Sequence, residues 1–205
     1  LPGGPLIDVP AGPSELMVIA DDSADPRIVA ADLLSQAEHD ADAQVVLVAT
    51  SDAIVSAVAR ELERQTPSLP RAQIAQASLA QARLIRVRDA NEAADVSNAY
   101  APEHLSLQVA DAEHLIAQLD NAGAIFVGAW SAETFGDYIC GPSHVLPTDG
   151  AARAWSGVNV ASFMKSFVVQ EMNEQGARAL APAAARLARL EGLEAYARAA
   201  DIRGQ

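Results

Sequence analysis

Glu103 and His104 stand side by side in Ala101-Pro102-Glu103-His104-Leu105. An imidazole that titrates near neutrality is the most versatile proton acceptor a protein has, and a neighbouring carboxylate can activate a water. The pair therefore suits a reaction that needs both. The alternative is an exposed polar pair, since Pro102 steers Ala101 toward an extended backbone and favours a loop just before the next strand. Gln36 and His39 are three apart, so on one helix they share a face, where an amide oxygen and a ring nitrogen can reach one divalent ion. Polar surface at a helix end, with His39 favoured by the helix dipole, is the competing explanation. Asp137 in Gly136-Asp137-Tyr138 adds a hard oxygen donor, and His144 in Gly141-Pro142-Ser143-His144 adds a hydrogen-bonding group. The glycines there admit a ligand close to the backbone, although Gly, Asp, Pro and Ser serve plain turns equally well. His114 falls inside a helical pattern and is read as surface.

Apolar runs alternating with helical patterns supply the frame for these side chains. Residues 15–20 (ELMVIA) read as a buried strand between Pro13 and Asp21-Asp22. Ser23 or Asp25 caps the next helix, with Pro26 at its first position and a stripe of Ile28, Ala31, Leu33, Leu34 and Ala37 leading to His39. Strands follow at 44–49, 84–87, 105–109 and 124–127. Helices are expected at 51–65, capped by Ser51 or Asp52, and at 89–100 and 111–119, while 66–82 reads as a loop with one short helix. This order predicts an α/β fold: a mostly parallel open sheet with helices on both faces, incomplete and Rossmann-like, binding ligands at the carboxyl ends of its strands. Residues 128–160 break the rhythm with Gly128, Gly136, Gly141, Gly150 and Gly157, a long loop of the functional kind, and Trp130 and Trp155 argue against disorder there. A helical tail closes the chain, with helices at 173–189, tolerating Pro182, and 193–202. The expected division is 1–160 for the α/β domain, incomplete at its N-terminus, and 161–205 for the tail.

A net charge of -13 over 205 residues sets the chain's own field against nucleic acid and anionic membranes, leaving small molecules as ligands. One cysteine, Cys140, excludes an internal disulfide framework. With no apolar span and no signal-peptide pattern, the expectation is a soluble, cytoplasmic protein. No Gly-x-Gly-x-x-Gly or Walker-type loop follows any strand, so a self-contained nucleotide site is not indicated. The opening Leu1-Pro2-Gly3-Gly4-Pro5 lacks an initiating methionine, the mark of a portion, a processed chain or a trimmed one.

Five stretches, in order, carry a resemblance to the histidinol dehydrogenases: Ala11-Gly12-Pro13-Ser14-Glu15; Ala31 through Gln36-Ala37-Glu38-His39-Asp40; Ala101-Pro102-Glu103-His104-Leu105; Gly136-Asp137-Tyr138 through Gly141-Pro142-Ser143-His144-Val145-Leu146-Pro147-Thr148; and Val169-Gln170-Glu171 to Glu191-Gly192-Leu193. The resemblance implies oxidation of L-histidinol to L-histidine in two NAD-dependent steps through an aldehyde. It implies Gln36, His39 and Asp137 as zinc ligands, with the metal orienting the substrate. His104 is then the proton acceptor and Glu103 the activator of water, with Ser14, His144 and Glu191 contacting substrate. It further implies a homodimer in which the tail reaches the partner's site.

Two departures accompany it. Where the family places a further zinc-ligating histidine, five residues after Glu191, this chain has Tyr196, a poor ligand unless the metal itself removes the phenol proton. The family chain is also about twice as long, and the NAD contacts belong to the part with no counterpart here, so the NAD site is expected outside this chain. The alternatives are a related dehydrogenase for another small alcohol, which Tyr196 would accompany, and a non-catalytic binding module that has lost metal and NAD.

Overall fold

Glu15–Ala20 forms β1, and all six of its side chains are buried. Strands run parallel on both sides of it. β2 (Gln44–Ala49) pairs with Glu15 opposite Gln44, and β4 (His104–Gln108) pairs with Leu16 opposite His104. With β3 (Arg83–Arg86) and β5 (Ala124–Val127) outside these, the order is β3-β2-β1-β4-β5, parallel throughout. The computed structural model describes residues 12–205; the Pro- and Gly-rich opening and Ala11 lie outside the described residues.

Alternation along the strands builds two cores. On one face Leu16, Val18 and Ala20 join Val45, Leu47 and Ala49 beneath α1 (Pro26–Ala37), α2 (Asp52–Gln65) and α3 (Ala72–Leu79). On the other, Met17, Ile19, Val46, Val48, Leu105 and Leu107 lie beneath α4 (Ala90–Tyr100) and α5 (Ala112–Ile116). The fold is thus the expected α/β sheet with helices on both faces. Helix starts follow side-chain chemistry. Asp25 accepts from the Arg27 N–H ahead of α1, with Pro26 at the first position, and Ser51 and Asp89 do the same for α2 and α4.

Several boundaries differ from expectation. Helix α1 stops at Ala37, so His39 lies in the following turn, with its N–H bonded to the Gln36 carbonyl, and does not share a helical face with Gln36. Strand β4 begins at His104, one residue early, because Gly123 and Ala124 donate to the carbonyls of Pro102 and Glu103 and extend the ladder. Ala101 is left-handed (φ 58°), not extended: it closes α4 through its N–H to the Ser97 carbonyl, and Pro102 disfavours only the right-handed helical region before it. The segment 128–160 contains α6 (Glu133–Tyr138) and short 3₁₀ turns, and Trp130 does not anchor it, being 92% exposed.

The described residues fall into two compact units, the second being Met164–Gln205. That unit is a helical hairpin of α7 (Glu174–Leu190) and α8 (Glu194–Asp201), joined at left-handed Gly192 and closed over the small side chains of Ala181, Ala185 and Ala197. Arg189 ties the two helices through Glu194 and Asp201.

The start of β4 leaves no room at Gly123, where a Cβ would stand 2.6 Å from the Glu103 carbonyl oxygen. Gly123→Ala must displace backbone, and a loss of about 1–3 kcal/mol is expected in urea unfolding; an unchanged midpoint would contradict this packing.

Candidate active site

Parallel pairing of β1 with β4 sets Glu15 beside Glu103, and the two residues exchange hydrogen bonds. The Glu15 N–H donates to Glu103 Oε2 at 2.9 Å, and the Glu103 N–H donates to Glu15 Oε2 at 3.4 Å. Glu15 Oε1 also accepts from the Asp149 N–H at 2.6 Å, drawing the loop after Pro147 onto the same edge. His104 Nδ1 lies 2.9 Å from the Glu15 carbonyl oxygen. A carbonyl only accepts, so Nδ1 carries the hydrogen and Nε2 of the neutral ring keeps its lone pair. Nε2 is itself buried without a hydrogen-bond partner. Glu103 and His104 are each 4% exposed, which removes the exposed-loop alternative. Ala101 and Asp149, the non-glycine residues with positive φ among those described, bracket this edge, and backbone strain of that kind collects at functional sites.

The site lies at the amino edge of the sheet, not at the carboxyl ends that the fold class suggested. Its floor is the α1-side face of β4, where His104, Ser106 and Gln108 alternate with Leu105 and Leu107 and are nevertheless buried. Ser106 Oγ lies 3.5 Å from Asp32 Oδ2 and accepts from Gln108 Nε2. Phe126 flanks the histidine, its ring centroid 6.0 Å from the imidazole's.

Three carboxylates approach His104: Glu103 Oε2 at 3.5 Å and Glu133 Oε1 at 3.7 Å from Nδ1, and Asp137 Oδ1 at 3.9 Å from Nε2. Burial pulls the imidazole pKa down, but the Glu103 contact, the charges of Glu133 and Glu103 and the Glu15 carbonyl outweigh it and lift it to about 9. Burial raises Glu133 to about 7; His104 opposes the rise, while Asp137, Glu103 and Asp32 add to it. Burial likewise raises Glu15, against the N–H groups of Asp149 and Glu103, and takes Asp32 to about 6 against the Ser106 hydroxyl. So many carboxylates around one basic group make a cluster that favours a cation.

Of the residues singled out from sequence, Glu103, His104 and Asp137 come together. Gln36 is buried at the last turn of α1, its Oε1 without a protein partner, whereas His39 is exposed and its carbonyl accepts from Arg71. Ser14 is half-buried immediately before β1, and His144 is exposed in the loop after α6. Among the described residues no hydrogen bond or ion pair joins these four to the His104 cluster. Glu191 ends α7 and Tyr196 lies on α8, 72% exposed, both within the second unit. Among the described residues no three His, Cys, Asp or Glu side chains gather to hold a metal. The expected ligand set counts only two of those types and relies on an amide. The chemistry of an amide oxygen, an imidazole and a carboxylate suits a divalent ion, and the Gln36 oxygen is buried without a hydrogen-bond partner. Glu15, Asp32 and Glu133 were missed. Glu15 looked like the first residue of an apolar strand, and the signal that could have found Glu133 is its i, i+4 spacing from Asp137.

A family model for histidinol dehydrogenase matches residues 3–204. The chain belongs to the histidinol dehydrogenase family. It is 51% identical over 201 residues to histidinol dehydrogenase of Xanthomonas campestris pv. campestris (strain 8004), covering 98% of this chain and 47% of that one. It is 49% identical over 198 residues to the chloroplastic histidinol dehydrogenase of Arabidopsis thaliana, covering 96% and 42%. A crystal structure of histidinol dehydrogenase from Elizabethkingia anophelis superposes with a TM-score of 0.93 at 43% identity, covering 96% of this chain and 45% of that one. The chain thus spans a little under half the length of these histidinol dehydrogenases. Among the described residues no helix is long and apolar enough to cross a membrane.

The raised pKa of Asp32 makes stability depend on pH. Its folded-state pKa of about 6 lies above the ordinary 3.8, so between these values the folded chain binds more protons and stability falls as pH rises. Asp32→Asn is therefore expected to stabilise the protein at pH 7 by on the order of 2 kcal/mol and to have little effect below pH 4. Equal unfolding midpoints for both proteins across that range would contradict it.

Proposed function

We propose that this chain carries the acid–base and substrate-binding part of a histidinol dehydrogenase, which oxidises L-histidinol through the aldehyde to L-histidine. The observation that carries this reading is the buried Glu103–His104 pair, with Nδ1 of His104 turned to the Glu15 carbonyl and Nε2 free. Nε2 takes the hydroxyl proton as the alcohol is oxidised. The surrounding carboxylates make the neutral ring a strong base for that step. Glu103 commits Oε2 to the Glu15 N–H and uses its other oxygen to take a proton from the water that adds to the aldehyde. Once His104 has released its first proton to solvent, it receives the proton of the resulting hydrate in the second oxidation. When bound, NAD, whose contacts are expected outside this chain, would supply the hydride acceptor for each oxidation.

Gln36, His39 and Asp137 are the residues that would hold zinc, which when bound orients the substrate's imidazole and amino groups. Ser14, His144 and Glu191 contact the substrate, and the C-terminal tail from about residue 161 packs across a homodimer. The setting is the cytoplasm. A second reading, a relative acting on another small alcohol, is favoured by Tyr196 in place of a ligating histidine.

The test is histidinol-dependent NAD reduction by the full product of the gene. Turnover is expected, and none in the presence of zinc and NAD would overturn the reading. His104→Asn is expected to lower kcat by roughly 100-fold or more while zinc content is unchanged; retained turnover would refute its role as base. Tyr196→His is expected to raise zinc affinity in equilibrium dialysis, and an unchanged affinity would remove the tail from the metal site.

A further inference from the structure

Glu133 is the only buried residue of the six in α6. Its neighbours Thr134, Phe135 and Tyr138 are exposed, so the packing of this short helix does not call for a carboxyl turned inward. The side chain nevertheless points to His104, with Oε1 3.7 Å from Nδ1 and Oε2 buried without any protein partner. Burying a carboxylate this way is costly unless a specific partner is gained, and the basic partner here is the imidazole.

The local fold explains how it gets there. Glu133, Gly136 and Asp137, at i, i+3 and i+4, share one face of α6. At Gly136 a Cβ would come within 2.7 Å of Phe126 Cε1, so only glycine lets that face close on the ring that flanks His104. The consequence is one carboxyl on each side of the imidazole, Glu133 Oε1 3.7 Å from Nδ1 and Asp137 Oδ1 3.9 Å from Nε2, neither of them hydrogen-bonded to the ring.

We propose that Glu133 is a positioning residue for His104, its carboxyl bracing the Nδ1 edge from α6 while Glu15 and Glu103 brace it from the sheet, so that Nε2 keeps a single direction toward the substrate. This rests on His104 being the base of the proposed reaction, and one of the two readouts below needs no turnover. In the full gene product, Glu133→Ala removes the brace, whereas Glu133→Gln keeps its size and hydrogen-bonding capacity. The ring ¹⁵N resonances of His104 are expected to shift clearly in Glu133→Ala and less in Glu133→Gln. In steady-state assays kcat falls roughly 10- to 100-fold in Glu133→Ala, with partial rescue in Glu133→Gln and a KM for histidinol within about threefold of the unmutated value. If Glu133→Ala does not fold, the same comparison is read from Glu133→Gln alone, and a resonance shift with lowered kcat is still expected. Ring resonances that coincide with those of the unmutated protein overturn the proposal. So does a loss confined to KM, which would make Glu133 a substrate contact. Absence of turnover in the unmutated protein would overturn the proposed reaction instead, and the ring resonances would still decide the role of Glu133.

Discussion

Two glutamates on adjacent parallel strands each accept the other's backbone N–H, and the candidate site is built on that exchange. Because Glu15 opens β1 and Glu103 immediately precedes β4, their carboxylates occupy the positions where an open sheet would otherwise leave backbone donors at its amino edge. Hydrogen bonds to charged groups contribute about 1.5–3 kcal/mol each, and losing the Glu15 side chain would strand the N–H groups of both Glu103 and Asp149. The imidazole of His104 depends on the same strand, since the Glu15 carbonyl fixes which ring nitrogen holds hydrogen. Left-handed Ala101 and the close approach at Gly123 are the backbone accommodations that let the chain enter β4 in this register.

The same arrangement gathers more negative charge than the fold itself requires. Glu133 and Asp32 both titrate above their ordinary range because burial disfavours their charged forms; neighbouring carboxylates add to the rise at Glu133, where His104 opposes it, and the Ser106 hydroxyl opposes it at Asp32. A site of this kind lowers its free energy when a cation enters. The electrostatics therefore favour a cation at this cluster.

The sheet was legible because β1, β2 and β5 are short apolar runs with turn residues on both sides, and their bounds come directly from that pattern. The site was legible only in part. In β4 the alternation His104, Ser106, Gln108 against Leu105 and Leu107 suggests a solvated face, yet α1 and α6 cover it, and burial of polar residues by elements distant in the chain has no local signature. Glu15 was hidden for a related reason: its partners are Glu103 and Asp149, 88 and 134 positions away. Tertiary packing also cut α1 short of His39 and set the left-handed cap at Ala101, each against a local rule that held only for part of the backbone space.

The reciprocal glutamate pair gives a physical reason why a strand start can carry the candidate site: two hydrogen-bonded strands hold His104 more rigidly than a loop would. The central claim is that the Glu15 carbonyl fixes the state of His104. Long-range ¹⁵N–¹H correlation of the His104 ring, recorded at a pH where the imidazole is neutral, tests it directly. The account predicts a hydrogen on Nδ1 and a bare Nε2; a ring protonated on Nε2 with Nδ1 bare would contradict it.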